Sequence, residues 1–406
     1  MQTYLQSLML KAQNNLNIDA KYKCSEHMRI ALVQNVTLND HRSIHFHNVA
    51  CELQRRGNDV DLILQKTDEK LQFQKQPYRF IELPGETYSI RGQLDFMKAL
   101  VPVVRKGKYQ IIHAKNPFSS IFSPILLRKV HLIQAKLIYD MRGLWVDFGV
   151  HSGQFSPSMG KVLNVVDKMV MHTCDHLITI SPALRHVLIS RGIPEKKVTA
   201  ITGSGIDIEE IERIPVADVK EKLQLSGTVI GYLGTVSTSR QSDKLLEAFQ
   251  YILNRCRNCY LILVGPEDGT IKELISKTEN VIHLGFVPHK KALSLLKSFD
   301  LALAYHDKDV PIFNVAVPIK VFEYMAAGVP IVATTHAMYA NVLDHRKTGY
   351  LTSPDPKSFA EGIRAVLEDR NLQKSMVMNA KQDVKKYSIQ ALVDQLDLLY
   401  HRVLAL

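Results

Sequence analysis

The sequence predicts an α/β protein made of two doubly wound parallel-sheet domains, and three observations predict it. Short β-branched runs alternate with amphipathic helical stretches through the first half of the chain. A segment rich in Asp, Glu and Pro, residues 207–219, interrupts the alternation. The pattern then restarts at Val229 with Val-Ile-Gly-Tyr-Leu-Gly. Alternation of this kind implies a parallel sheet covered by helices on both faces. At 406 residues the chain also exceeds one ordinary hydrophobic core, so the size prior favours two domains.

The first strand is expected at residues 28–34, followed by an amphipathic stretch, 42–56, that stops at Gly57. Further strands are expected at 60–64, 111–114, 136–140 and 176–180, with helices around 94–105, 161–173 and 182–191. In the second half, strands at 229–233, 260–264, 281–284, 301–304 and 331–333 alternate with helical stretches. The last helices, 356–369 and 389–406, are amphipathic, and the final one is a candidate to cross back onto the first domain. The chain therefore divides into an extension (1–27), a first domain (28–213), a second domain (214–386) and a C-terminal helix (387–406). In such sheets ligands lie at the carboxyl ends of strands, so chemistry is expected where the two sets of strand ends face each other.

A content of 46% hydrophobic and 22% charged residues is that of a soluble globular protein and excludes disordered or fibrous classes. The longest apolar stretch, 324–335, is broken by Gly328 and Pro330 and is too short to span a bilayer. Residues 1–27 are polar and lack the apolar centre of a secretory signal. They read as a frayed extension, with a short amphipathic arm as the alternative. Five scattered cysteines form no disulfide framework and suit a reducing cytosol. Cys256 and Cys259 lack a second ligand pair nearby, so no metal is expected there.

The net charge of +11 is uneven: residues 1–213 carry 28 Lys and Arg against 20 Asp and Glu. A basic first half suits nucleic acid, anionic headgroups or phosphorylated ligands. No nucleic-acid motif accompanies it, so no nucleic-acid partner is expected. Docking on an anionic membrane surface is retained.

Gly231 and Gly234 end a strand, and residues 235–240 lead into a helix beginning near Ser242. Backbone N–H groups and the helix dipole there favour an anion, and Arg240 in the same turn suits a diphosphate. The bland alternative is a packing turn found in any doubly wound fold. Lys320 and Glu323, three apart on one helix, share a face near the strand ends; the bland alternative is an exposed ion pair worth little.

Around those residues the segment Val317-Pro318-Ile319-Lys320-Val321-Phe322-Glu323-Tyr324-Met325-Ala326-Ala327-Gly328-Val329-Pro330 resembles the donor-site signature of family 4 glycosyltransferases. Gly231-Tyr232-Leu233-Gly234-Thr235 with Arg240, Leu263-Val264-Gly265, the stretch from Val281 to Pro288, and Lys347-Thr348-Gly349-Tyr350-Leu351 agree in order. In the first domain the likeness rests on shorter pieces, among them Ile112-His113-Ala114 and Tyr139-Asp140-Met141-Arg142-Gly143.

The resemblance implies the GT-B fold, two Rossmann-like domains facing each other across a deep cleft. It implies a retaining, metal-independent transferase using a nucleotide diphosphate sugar, with UDP favoured and GDP the alternative. Glu323 would hold the ribose, Arg240 and Lys320 the diphosphate, and Gly234 and Thr235 would complete the anion site, with Val287 also at the donor. Two cations and a helix end would replace a divalent ion as phosphate departs. The leaving phosphate would help to deprotonate the acceptor, so no protein nucleophile is expected. The expected acceptor is a saccharide or polyprenyl-linked sugar in bacterial surface glycan synthesis, at the inner face of the membrane.

Two positions depart from the family pattern. A second glutamate usual eight positions before Glu323 is Val315, and a first-domain histidine is replaced by Arg142. Arg142 has two readings, a contact to donor phosphate or sugar and a simple pair with Asp140. His113, ending a strand at the cleft, is either catalytic or a satisfied structural histidine. Asp59-Val60-Asp61 imitates the metal-binding carboxylates of another transferase fold but lies at the wrong strand end. The rival readings are a sugar-nucleotide-binding protein without catalysis, a nucleotide-sugar epimerase on the same fold, and a nucleic-acid binder.

Overall fold

The computed structural model describes residues 27–38, 40–67, 76–203, 205–255, 257–306, 315 and 317–406. Nearly all of the 1–27 extension, together with Cys256 of the Cys256–Cys259 pair, lies outside the described residues.

Seven parallel strands form the first sheet: β1 (Arg29–Thr37), β2 (Asp59–Gln65), β3 (Arg79–Leu83), β4 (Ile111–Lys115), β5 (Lys136–Met141), β6 (His176–Thr179) and β7 (Val198–Ala200). Their order is β3-β2-β1-β4-β5-β6-β7. The second sheet contains β8 (Thr228–Leu233), β9 (Cys259–Val264), β10 (Val281–His283), β11 (Leu301–Ala304), β12 (Ile331–Thr334) and β13 (Tyr350–Thr352), in the order β10-β9-β8-β11-β12-β13. Each sheet reverses its winding once, between β1 and β4 and between β8 and β11. A doubly wound sheet opens its ligand crevice at that switch point.

The central strands are buried along almost their whole length, as in β1 and β4, which is why they read as continuous apolar runs. Helices start where a side chain can take an orphan backbone N–H. Ser156, Ser181 and Asp355 each cap a helix whose first residue is proline. Asp207 and Asp218 cap Ile208–Arg213 and Val219–Leu223, so the acidic segment expected as an interruption supplies two short helices.

The structure adds β3, β7 and β13, absent from the sequence expectation. Two have only three residues, and β3, at a sheet edge, has Arg79 and Glu82 exposed, Phe80 and Ile81 half-buried and Leu83 buried, leaving little periodicity to detect. Helix Arg370–Asp383 was also unanticipated, because Met376 and Ala380 are its buried residues while Met378 faces solvent.

Helix Ile389–Leu404 packs on the first sheet, where Leu392, Leu396 and Tyr400 share a core with Phe46 and Val49. Arg56 ties it down through Asp394 at 2.7 Å and Asp397 at 3.0 Å. Asp59 and Asp61 are taken up by Arg29 at 2.5 and 2.7 Å, at the start of β2 and away from the strand ends that face the cleft.

Candidate active site

Gly231 and Gly234 have different duties. Gly231 lies within β8, where a Cβ would come 1.9 Å from the Phe299 ring, so the requirement is packing. Gly234 turns the chain out of β8 at φ +135°, a conformation that side chains resist. Gly265, leaving β9 at φ +145°, sits so close that its Cβ would lie 2.1 Å from the Gly234 carbonyl oxygen.

Against this turn stands Lys320, one turn ahead of Glu323 on helix Ile319–Ala327. A Cβ at Gly234 would be 3.6 Å from Lys320 Nζ. The ammonium is 3.8 Å from the centre of the Tyr232 ring, a cation–π contact that supports its charge. Burial lowers the Lys320 pKa; Tyr232 opposes that shift, while Arg240 adds to it. Lys320 is 8% exposed and Glu323 5%, which removes the expectation of a solvated surface pair. Lys320 turns to Tyr232, and Glu323 Oε1 accepts a hydrogen bond from His289 Nε2 at 2.6 Å.

Arg240 follows Thr235 in the same turn, just before helix Ser242–Leu253. Its guanidinium lies 5.1 Å from the Phe148 ring of the first domain. His306, beyond β11, is buried; burial first, then the charges of Lys320 and Arg240, hold its pKa well below the ordinary value. The three groups thus share one electrostatic neighbourhood at the β8/β11 switch point. Val287 is half-buried beyond β10, two residues before His289.

A cavity of about 360 Å³ opens beside Glu323, lined by Asn48 of the first domain, Asp207 and Glu210 of the connection, and Pro288, His289 and Ile319 of the second. That is within the range of small-ligand pockets.

His289 is the residue that sequence reasoning missed, since the recognised stretch ended at Pro288. Burial opposes its charge, but the Glu323 carboxylate and its hydrogen bond outweigh burial and raise the pKa. A raised folded pKa gives stability that is complete below the unfolded value and is lost as pH rises through the folded one. His289→Gln is therefore expected to cost most below pH ~6.5 and progressively less above it. The His289 side chain is 32% exposed, so the loss should stay under about 1 kcal/mol. Urea midpoints measured across pH check this; a pH-independent difference would show that the pair is not ionic.

The first domain contributes a second group of charges at the ends of β4 and β5. Asp140 is fully buried, with Arg142 Nε at 2.8 Å, His113 Nε2 at 3.5 Å and His45 Nε2 at 3.7 Å from Oδ2. Burial alone would raise the Asp140 pKa, but Arg142, His113 and His45 hold it well below the usual range. Arg142 also donates to the Gly203 carbonyl at 2.9 Å and contacts His45. Of its two sequence readings, the arrangement seen is the pair with Asp140.

His113 is buried, its pKa lowered mainly by burial, and its Nδ1 is 2.7 Å from Tyr400 Oη on the C-terminal helix. Lys115, unflagged in the sequence, is 6% exposed and donates from Nζ to the Arg42 carbonyl at 2.5 Å. Burial, reinforced by Arg142, lowers its pKa to about 7. Val315 lies in the first-domain core, and its carbonyl accepts from Ser181 Oγ at 2.5 Å. It is committed to packing between the domains.

Residues 215–383 match the family model described as glycosyl transferases group 1, and residues 43–210 match that of glycosyltransferase family 4. This chain belongs to the family 4 glycosyltransferases. Across 87% of its length the glycosyltransferase is 22% identical to the capsular polysaccharide biosynthesis glycosyltransferase CapM of Staphylococcus aureus, covering 92% of that protein. Among solved structures it is similar to sucrose-phosphate synthase of Thermosynechococcus elongatus (TM-score 0.73, 20% identity, 93% of this chain and 99% of that one). It is also similar to Anabaena HepE in complex with UDP and glucose (TM-score 0.73, 16% identity, 93% of this chain and 100% of that one). The shared architecture is the GT-B fold.

Proposed function

We propose that the chain moves a hexose or N-acetylhexosamine from a UDP-sugar to a saccharide or lipid-linked acceptor, with retention of anomeric configuration, in surface polysaccharide synthesis. The observation that carries this reading is the buried Lys320 ammonium against the Gly234 turn, with Arg240 close enough to affect its charge. Burying a cation is costly; Tyr232 and Glu323 offset part of that cost, and a diphosphate would supply further counter-charge. Glu323 beside the cavity would take the ribose hydroxyls, with His289 orienting its carboxylate. Two cations and the Thr235 amide would stabilise the departing UDP without a divalent ion, the Gly234 amide being taken by the Val264 carbonyl at 2.9 Å. The HepE complex with UDP and glucose and the role in CapM's name support the donor and the pathway class.

Thermal shift tests the donor. UDP and UDP-sugars at 100 times Kd are expected to stabilise the native state by about 2.7 kcal/mol, with ADP and GDP well behind. Uniform failure of all nucleoside diphosphates to raise Tm would remove the reading. Retention is read from the anomeric proton coupling of the product. The one observation favouring binding without turnover is Val315, whose burial keeps it from the sugar hydroxyls. Tight UDP-sugar binding with no UDP release over an acceptor panel would decide for that reading.

A further inference from the structure

Nine of the fifteen large apolar side chains exposed among the described residues fall between residues 90 and 169. That stretch contains three helices on one face of the first sheet: Ile90–Gly107, Phe122–Lys129 and Pro157–Thr173, with contacts between the first and second and between the second and third. On Pro157–Thr173, Val162, Val165 and Met169 are 64%, 60% and 64% exposed. Their spacing places them in a single stripe, interleaved with exposed Lys161 and Lys168. Leu126 and Val130 continue the apolar surface from the neighbouring helix, 50% and 62% exposed, with exposed Lys129 between them.

The charge around this surface is predominantly positive. Residues 90–169 carry 12 Lys and Arg against four Asp and Glu, and two of the four, Asp140 and Asp167, are buried. A scatter of single apolar residues would need no explanation, but a contiguous patch rimmed by cations is the signature of an interaction site. An exposed apolar stripe interleaved with lysines suits the boundary between anionic headgroups and acyl chains, where both components contribute to binding. No helix among the described residues is long and apolar enough to cross a bilayer, so this surface would lie on the membrane. Its position also fits delivery of an acceptor. Helix Trp145–His151, whose Phe148 meets Arg240 across the cleft, leads directly into Pro157–Thr173.

We propose that the face formed by Phe122–Lys129 and Pro157–Thr173 docks on an anionic lipid bilayer. This deepens the lipid-linked acceptor reading above and rests on it. The test is flotation of the full chain with phosphatidylcholine vesicles, with and without phosphatidylglycerol. Wild type is expected to float with the anionic vesicles and to stay in solution with the zwitterionic ones. Val165→Asp with Met169→Asp should reduce flotation by about tenfold or more, and Lys161→Glu with Lys168→Glu should do the same through charge. All four positions are exposed, and an unchanged Tm confirms that each variant folds.

Failure of wild type to float, or wild-type flotation by both variants, overturns the proposal. So does a concentration-dependent dimer in sedimentation that the aspartates disperse, since the face would then be covered by a second copy. The UDP-induced Tm shift is read in the same samples. A lost shift with intact flotation removes the donor reading, whereas lost flotation with an intact shift removes only the docking.

Discussion

Lys320→Met is expected to lower sugar transfer by about two to three orders of magnitude, the loss seen when one fixed donor to a developing oxyanion is removed, while the ligand-free protein melts no lower than wild type. The second half of that expectation follows from burial. The ammonium is nine-tenths buried and its pKa is already lowered, so the folded state holds a charge that it would do better without. Methionine has similar length and helix propensity, fills the space against Tyr232 and carries no charge to desolvate. If Lys320 is retained for an anion, the substitution should leave or raise Tm without ligand and shrink the Tm increase given by UDP. A purely structural lysine predicts the reverse, a lower Tm with turnover preserved. Steady-state kinetics with UDP-sugar, alongside melting curves with and without UDP, separate the two outcomes. Arg240→Ala is expected to act in the same direction, since its charge is felt by both Lys320 and His306.

The residues of this half-site were legible because they are local in sequence. Lys320 and Glu323 share one helix, and Gly234 and Arg240 flank one turn, so spacing and periodicity were enough to bring them together. What spacing cannot show is the set of partners brought in by tertiary contact. Tyr232 under Lys320 comes from a strand 88 residues upstream, and His289 beside Glu323 from a separate helix. In the first domain even the recognised residues were ambiguous. Asp140 and Arg142 are two apart, but His45 and Tyr400 arrive from helices at opposite ends of the chain, so the choice between a structural and a catalytic Arg142 could not be made from sequence. The fold was more legible than the site for the same reason: strand–helix alternation is local, whereas short edge strands such as β7 and β13 exist only because a neighbour pairs with them.

The ambiguity at Arg142 yields the other large effect. Asp140→Asn is expected to destabilise the protein by about 3–5 kcal/mol, the cost of removing one partner from a buried ion pair and leaving the other uncompensated. Asparagine keeps the shape, so the loss reports charge. Because the folded pKa of Asp140 is depressed, its stabilisation is present above the unfolded carboxylate value of about 3.9 and is lost as pH falls through the folded one. Near neutrality the deficit of the variant should therefore be flat with pH. A separate acid limb belongs to His45, whose pKa burial and Arg142 lower to about 3, and to His113, lowered chiefly by burial. The unfolded chain binds those protons first, so both proteins should lose stability below pH ~6.5. The limb should survive in Asp140→Asn, since burial leads both shifts and is unchanged. Adding Arg142→Leu to Asp140→Asn removes the stranded guanidinium and should recover part of the loss, because replacing both partners of a buried pair is far milder than breaking it. Urea midpoints give the stabilities, and transfer assays on the recovered double variant decide the role of Arg142. A stable double variant with near wild-type transfer confines Arg142 to holding Asp140. A stable one with transfer lost places its guanidinium on the donor, with Asp140 as the residue that positions it.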